Sequence, residues 1–173
     1  GGFLRGISGM PGPPVIILHM ASRLAPAIIR ANTMIYLFLI DLVVFPPNTL
    51  IAPATAQTGT TAIAIGAQDC HTETSGAHTG DTSAQMLSEA GATHVLVGHS
   101  ERRCDHDETD RVVCAKAQAA IAQGLIAIIC LGETLQQREA GSTLEVIADQ
   151  LAASIPDIAN GETAVIASEP VWA

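Results

Sequence analysis

Aromatic residues are scarce: three Phe, one Tyr and one Trp, 3% of a 173-residue chain that is 48% hydrophobic. A core so poor in rings must be filled by Ala, Val, Ile and Leu, which suits a parallel sheet covered on both faces by Ala-rich helices. Basic residues are few as well. Eight Lys and Arg against 17 Asp and Glu leave a formal net charge of −9, which argues against nucleic acid as a partner, because phosphate-backbone binding needs a basic surface. Any site for a small anion must therefore be built locally. Long apolar runs are also lacking. The longest, Met34 to Ile40, falls far short of the ~18 residues of a membrane span, and no membrane association is expected. Gly1 to Met20 do not show a basic end, an apolar stretch and a cleavage site in signal-peptide order. The four cysteines, at 70, 104, 114 and 130, form no CxxC pair, a pattern of a reducing compartment more than of a disulfide framework. A cytoplasmic location is the expectation, in a chain long enough for one domain with a sizeable core.

What is present is a repeated grammar. From Asp41 onward a short apolar run, a polar loop and an Ala-rich amphipathic segment alternate. The runs Leu42–Phe45, Ala62–Ile65, His94–Val97, Ile126–Leu131 and Ala164–Ala167 read as strands. Thr49–Gln57, Ser83–Ala90, Thr109–Gln123 and Thr143–Ala153 read as helices; Val112, Val113, Ala117, Ala120 and Ile121 make an apolar stripe in the third. Gly91 and Gly124 stand where helices should end, Ser83 where one should be capped, and either Thr109 or Asp107 could cap the next. Phe3–Ile7 reads as one more strand, giving six. Strand and helix in alternation mean right-handed crossovers and a parallel sheet. Periodicity alone leaves an open doubly wound sheet and part of a closed barrel equally available.

Chemistry in both architectures gathers at the carboxyl ends of the strands. There stand Gly98-His99-Ser100-Glu101-Arg102-Arg103 after the fourth strand, Gly132-Glu133-Thr134 after the fifth, and Ser168-Glu169-Pro170-Val171-Trp172-Ala173 after the sixth. The third leads into Gly66-Ala67-Gln68-Asp69 and the loop Ser75-Gly76-Ala77-His78-Thr79-Gly80-Asp81. In this order and spacing, from Asp41 to Ala173, the strings resemble the triosephosphate isomerase family.

The resemblance implies a (β/α)₈ barrel of which residues 1–173 are a single domain, incomplete at the C-terminus and holding the first six strands. It implies an aldose–ketose isomerase of glycolysis and gluconeogenesis that needs no cofactor. Glu169 matches the family's carboxylate base, His99 the imidazole that polarises the carbonyl oxygen, and Glu101 the carboxylate beside that histidine. Ser100 is a plausible cap for a helix facing the ring. Pro170, Val171 and Trp172 match the hinge of the mobile lid, Cys130 and Glu133 residues of the fifth strand and its loop. Thr79 matches the tip of a loop reaching into the partner of a homodimer, and residues 69–81 are longer than an ordinary connection of about 2–6 residues. The pairing of a carboxylate base with a neutral histidine is one for which this family is itself a standing illustration.

Blander readings stand beside these. Glu101, Arg102 and Arg103 could form a structural ion-pair set, and Cys130 could be a packed small hydrophobe. Cys70-His71, His78 and Cys104-x-His106 lack metal-site spacing and read as falling in different loops, so no metal is expected. The first forty residues depart from the family: Ile7 stands at its asparagine and Gly9 at its lysine, and the chain has only one lysine, Lys116. Ser168 stands where the family usually has tyrosine. A barrel relative serving as a binding or assembly module is the alternative to an enzyme.

Overall fold

The structure, a computed structural model, describes the backbone of residues 34–37 and residues 42–170 in full. Ile7, Gly9, Val171, Trp172 and the expected strand Phe3–Ile7 lie outside the described residues. The elements are β1 (Met34–Leu37), β2 (Leu42–Phe45), a 3₁₀ turn (Asn48–Leu50), α1 (Ile51–Thr58), β3 (Ile63–Ala67), α2 (Ala84–Glu89), β4 (His94–Val97), α3 (Ser100–Asp105), α4 (Asp110–Ala122), β5 (Ile126–Leu131), α5 (Leu135–Glu139), α6 (Thr143–Ser154) and β6 (Ala164–Ser168).

The strands lie side by side in chain order. From β2 to β6 every neighbouring pair is parallel. The first pair is not: β1 runs antiparallel to β2, with Met34 opposite Phe45 and Leu37 opposite Leu42. Among the described residues the five expected strands from Leu42 to Ser168 are parallel, and β1 adds an antiparallel edge. Only residues 38–41 separate β1 from β2, and a parallel return needs a crossover of a dozen residues or more.

Alternation along the strands splits the core into two layers. Val44, Ile65, Val95, Val97, Ala127, Ile129 and Leu131 point outward against helix residues such as Leu87, Val113, Ala117 and Ala120. Val43, Phe45, Leu96, Ile128 and Cys130 point inward and pack on one another, with Ala64, Val165 and Ala167 beside them. Side chains from β2 can share a cluster with those of β4 and β5 only if the sheet curls around them. The five parallel strands are therefore a curled half of a (β/α)₈ barrel. Phe45 is the only aromatic ring in the inner layer among the described residues, and it fits because Gly66, on β3, has no side chain. A Cβ there would overlap the Phe45 ring.

Helix ends follow local chemistry. Ser83 caps α2 by accepting a hydrogen bond from Met86 N, and Thr109, not Asp107, caps α4 by accepting from Val112 N. Gly91 and Gly124, with φ of 92° and 75°, follow the last turns of those helices. α5, not foreseen, is set by a capping box in which Thr134 and Gln137 satisfy each other's backbone N–H groups.

Candidate active site

His99 stands two residues beyond β4 and is itself the cap of α3. Its Nδ1 accepts a hydrogen bond from Glu101 N at 3.3 Å. Ser100 is the first residue inside the helix, so the cap expected of Ser100 belongs to the histidine. An Nδ1 that accepts cannot carry the ring proton, so the neutral ring holds it on Nε2. The side chain is 6% exposed and its Nε2 stands 2.5 Å from Glu169 Oε1.

Glu169 reaches this position from the end of β6. Its backbone N donates to Leu131 O at 2.7 Å, carrying the chain across the end of β5. The crossing is tight. A Cβ on Gly132 would press into the backbone of Glu169 and Pro170, while Gln150 of α6 holds Gly132 from the other side, accepting from its N at 2.9 Å and donating to its O at 3.1 Å. Glu169 Oε2 is buried with no hydrogen-bond partner among the described residues, while His99 Nε2 faces the other oxygen of that carboxylate. Buried polar atoms without partners are rare and usually mark a place where something polar is to be bound.

The two arginines after Glu101 are structural. Arg103 donates to Gly98 O (2.9 Å), Cys130 O (3.2 Å), Asp110 Oδ1 (2.6 Å) and Ser154 Oγ (3.3 Å), joining the ends of β4 and β5 to α4 and α6. Arg102 reaches Glu108 Oε1 at 2.6 Å and Asp69 Oδ2 at 3.0 Å. Lys116 closes that group from α4, with Nζ 2.6 Å from Glu108 Oε1 and 2.7 Å from Asp69 Oδ1. Burial pushes the Asp69 carboxyl above its usual range despite Lys116 and Arg102. Burial acts on Glu108 in the same direction, but hydrogen bonds and charge from Lys116, then Arg102, outweigh it and hold that carboxyl low. Glu101 joins neither set. It is exposed, with Oε2 3.7 Å from His99 Nδ1, so the three residues do not form one ion-pair set.

Cys130 is buried in the inner layer; burial, and then the charge of Glu169 beside it, push its thiol far up. Cys70 is raised to about 12, by burial and then by Asp69. Neither is a thiolate nucleophile. Glu133 is buried, with Arg138 Nη1 3.4 Å away. Pro170 directly follows Glu169. Thr79 is exposed on the connection from β3 to α2, closed at its base by His71 N donating to Thr82 O at 2.9 Å. Pro47, Asn48, Gln68, Asp69, His99 and Arg102 are among the residues lining a cleft of about 400 Å³ at the same strand ends. His71 and His78 share one loop and meet there with Asp81, which corrects their expected separation. Cys104 and His106 lie elsewhere, at the end of α3. The ion network also escaped the sequence reading, although a lone lysine on an apolar helical stripe already required buried acidic partners.

A curled parallel sheet with an imidazole and a carboxylate in contact at its carboxyl end defines a (β/α)₈-type barrel protein. A family model described as triosephosphate isomerase matches residues 17–173. The triosephosphate isomerase of Ruegeria sp. (strain TM1040) is 59% identical over 134 residues, 78% of this chain and 54% of the relative. That of Brucella abortus biovar 1 (strain 9-941) is 52% identical over 134 residues, covering 78% and 53%. The crystal structure of triosephosphate isomerase from Bartonella henselae aligns with a TM-score of 0.76 at 47% identity, over 79% of this chain and 57% of that one. The chain belongs to the triosephosphate isomerase family. It spans about half the length of the curated relatives it matches.

Proposed function

We propose that the protein interconverts glyceraldehyde 3-phosphate and dihydroxyacetone phosphate through an enediol, as a triosephosphate isomerase of glycolysis and gluconeogenesis. The observation that carries this is the contact of buried His99 Nε2 with Glu169 Oε1, on a half-buried side chain, at 2.5 Å at the strand ends, beside an unpartnered Glu169 oxygen. A proton alpha to a carbonyl is weakly acidic, so its removal requires a positioned base and a donor on the oxygen where charge develops. Glu169 takes the proton from one carbon and returns it to its neighbour. His99, with its proton on Nε2, donates to the developing oxyanion and exchanges protons between the two oxygens. Glu101 steadies the ring from the Nδ1 side through its backbone N–H. No cofactor takes part, because the electrons stay within the substrate.

Pro170, Val171 and Trp172 act as the hinge of a lid that keeps water from the enediol phosphate. Residues 69–81 project into a second subunit with Thr79 at the tip, making a homodimer, and the enzyme works in the cytoplasm. No helix among the described residues is long and apolar enough to cross a membrane. The intact protein should convert glyceraldehyde 3-phosphate in a coupled assay. Glu169→Asp should cut turnover roughly 10²-fold by drawing the base back about 1 Å. His99→Gln should cut it by roughly 10²-fold or more with less effect on KM. Unchanged turnover in both would remove the acid–base reading and favour a binding module. Light scattering should give twice the protomer mass, and a monomer would refute the role given to the loop.

A further inference from the structure

We propose that Gln150, on the outer helix α6, is a positioning residue for the Glu169 carboxylate and acts through the backbone of Gly132. α6 turns the face bearing Ile147, Leu151 and Ser154 toward the sheet, and helical spacing puts Gln150 on that same face. A polar side chain there must find polar partners. It finds both on one residue. Its Oε1 accepts from Gly132 N at 2.9 Å and its Nε2 donates to Gly132 O at 3.1 Å. The carboxamide thereby copies the acceptor and donor of a peptide group, and pairs with Gly132 as a neighbouring strand would. Asn and Gln alone carry that group, and Asn is one methylene shorter.

The other side of Gly132 carries Glu169. A Cβ added to Gly132 would run into the carbonyl of Glu169 and the Cα of Pro170, so the two backbones meet with no side chain between them. One residue earlier, Glu169 N donates to Leu131 O at 2.7 Å. The backbone of Glu169 therefore rests on two adjacent residues of one strand end. Leu131 is fixed in the ladder, opposite Ser168. Gly132 lies beyond the last residue of β5 and takes its place from Gln150. Without the carboxamide, the buried N–H and C=O of Gly132 must turn to water or other partners, and the surface under Glu169 moves with them. A base tolerates little of this, since a misplacement of about 1 Å can cost roughly 10²-fold in rate. The effect on turnover rests on the isomerase reading; the placement of Glu169 does not.

Gln150→Leu in the intact protein tests it, with Asp149→Ala on the exposed side of the same helix as control. Turnover of glyceraldehyde 3-phosphate should fall roughly tenfold in Gln150→Leu with KM within about twofold, and stay level in the control. In a Glu169→Asp background the base is already displaced, so the same substitution should cost less than about threefold more. Gln150→Glu keeps the shape but, when ionised, has no proton to donate to Gly132 O. It should share the defect, and it replaces the leucine variant if that one does not fold. Nitrogen NMR of the His99 imidazole, assigned with His99→Gln, reads the displacement without turnover, because His99 Nε2 touches Glu169. That signal should move in Gln150→Leu and not in Asp149→Ala. Its movement in a protein that converts no triose phosphate would support the placement while refuting the isomerase reading. An unmoved signal overturns the proposal, as do an unchanged kcat, a loss confined to KM, or losses that multiply in full in the double variant.

Discussion

Replacing Lys116 by methionine removes the cation that touches both carboxylates of the buried network while keeping an unbranched stem of similar length. Lys116 is 8% exposed and Glu108 5%, with Asp69 at 20%, so solvent does little to make up the loss. Breaking a buried pair from one side costs roughly 3–5 kcal/mol, because the partner charge is left uncompensated. Arg102 remains, 2.6 Å from Glu108 Oε1, which puts the expected loss at the lower end, about 3 kcal/mol. The pH dependence separates charge from packing. In the wild type the Glu108 carboxyl is held below its ordinary value of 4.5. It contributes stability above that value, and the contribution is lost as pH falls through the depressed one. Asp69 works the other way. Its carboxyl lies above its ordinary 3.8, so its contribution is present below that value and is lost as pH rises through the raised one. Without Lys116, burial dominates at both groups and both carboxyls rise. The deficit of the variant should then be largest near pH 7 and shrink as the medium is taken toward about pH 4.5. Urea unfolding followed by circular dichroism at both pH values measures it. A loss under about 1 kcal/mol at neutral pH, or one that does not change with pH, would refute a network held by charge.

Two glycines give further tests. Gly66→Ala drives a methyl group into the Phe45 ring and should cost about 1–3 kcal/mol by overpacking, seen as a lowered thermal midpoint. Phe45→Leu in the same background should recover part of it, and no recovery would mean the clash lies elsewhere. Gly132→Ala displaces the backbone that carries Glu169 and should lower turnover roughly 10²-fold with stability changed much less. Equal losses of stability and activity would show a general defect in the β5 end instead.

Most of the architecture was legible because its signals are local. Each apolar run became a strand within two residues, and Ser83, Thr109, Gly91 and Gly124 end helices by hydrogen bonds to near neighbours. The antiparallel β1 was not legible, since Met34–Leu37 reads as an apolar run of either direction and only the short link to Leu42 betrays its sense. His99 and Glu169 could be named from the strings around them, but not their contact, which depends on β4, β5 and β6 lying side by side. The network of Asp69, Arg102, Glu108 and Lys116 joins residues up to 47 positions apart, beyond any pattern of spacing. The meeting of His71 and His78 was missed for a different reason: a seven-residue gap in a loop has no period to read.

The string from Gly98 to Arg103 is so distinctive because a single turn of chain meets four unrelated demands. His99 must leave the strand with its ring turned back over the helix start, where its Nδ1 takes the N–H of Glu101. Glu101 can be any residue with a free backbone N–H for that bond, and its exposed carboxylate stands in the first turn of α3, where negative charge meets the positive end of the peptide dipoles. Arg102 faces the stem of the long loop and must bridge two carboxylates on different elements, a geometry that suits a planar fork better than an ammonium. Arg103 faces the opposite way and binds two carbonyls and an aspartate at once, again needing several donors in fixed directions. The imidazole is thus oriented by a helix whose next two turns of hydrogen bonding are anchored to the strand ends on one side and the loop stem on the other. A change at either arginine should therefore be felt at His99 without touching it, because the short α3 has no other buried residue to hold it in place.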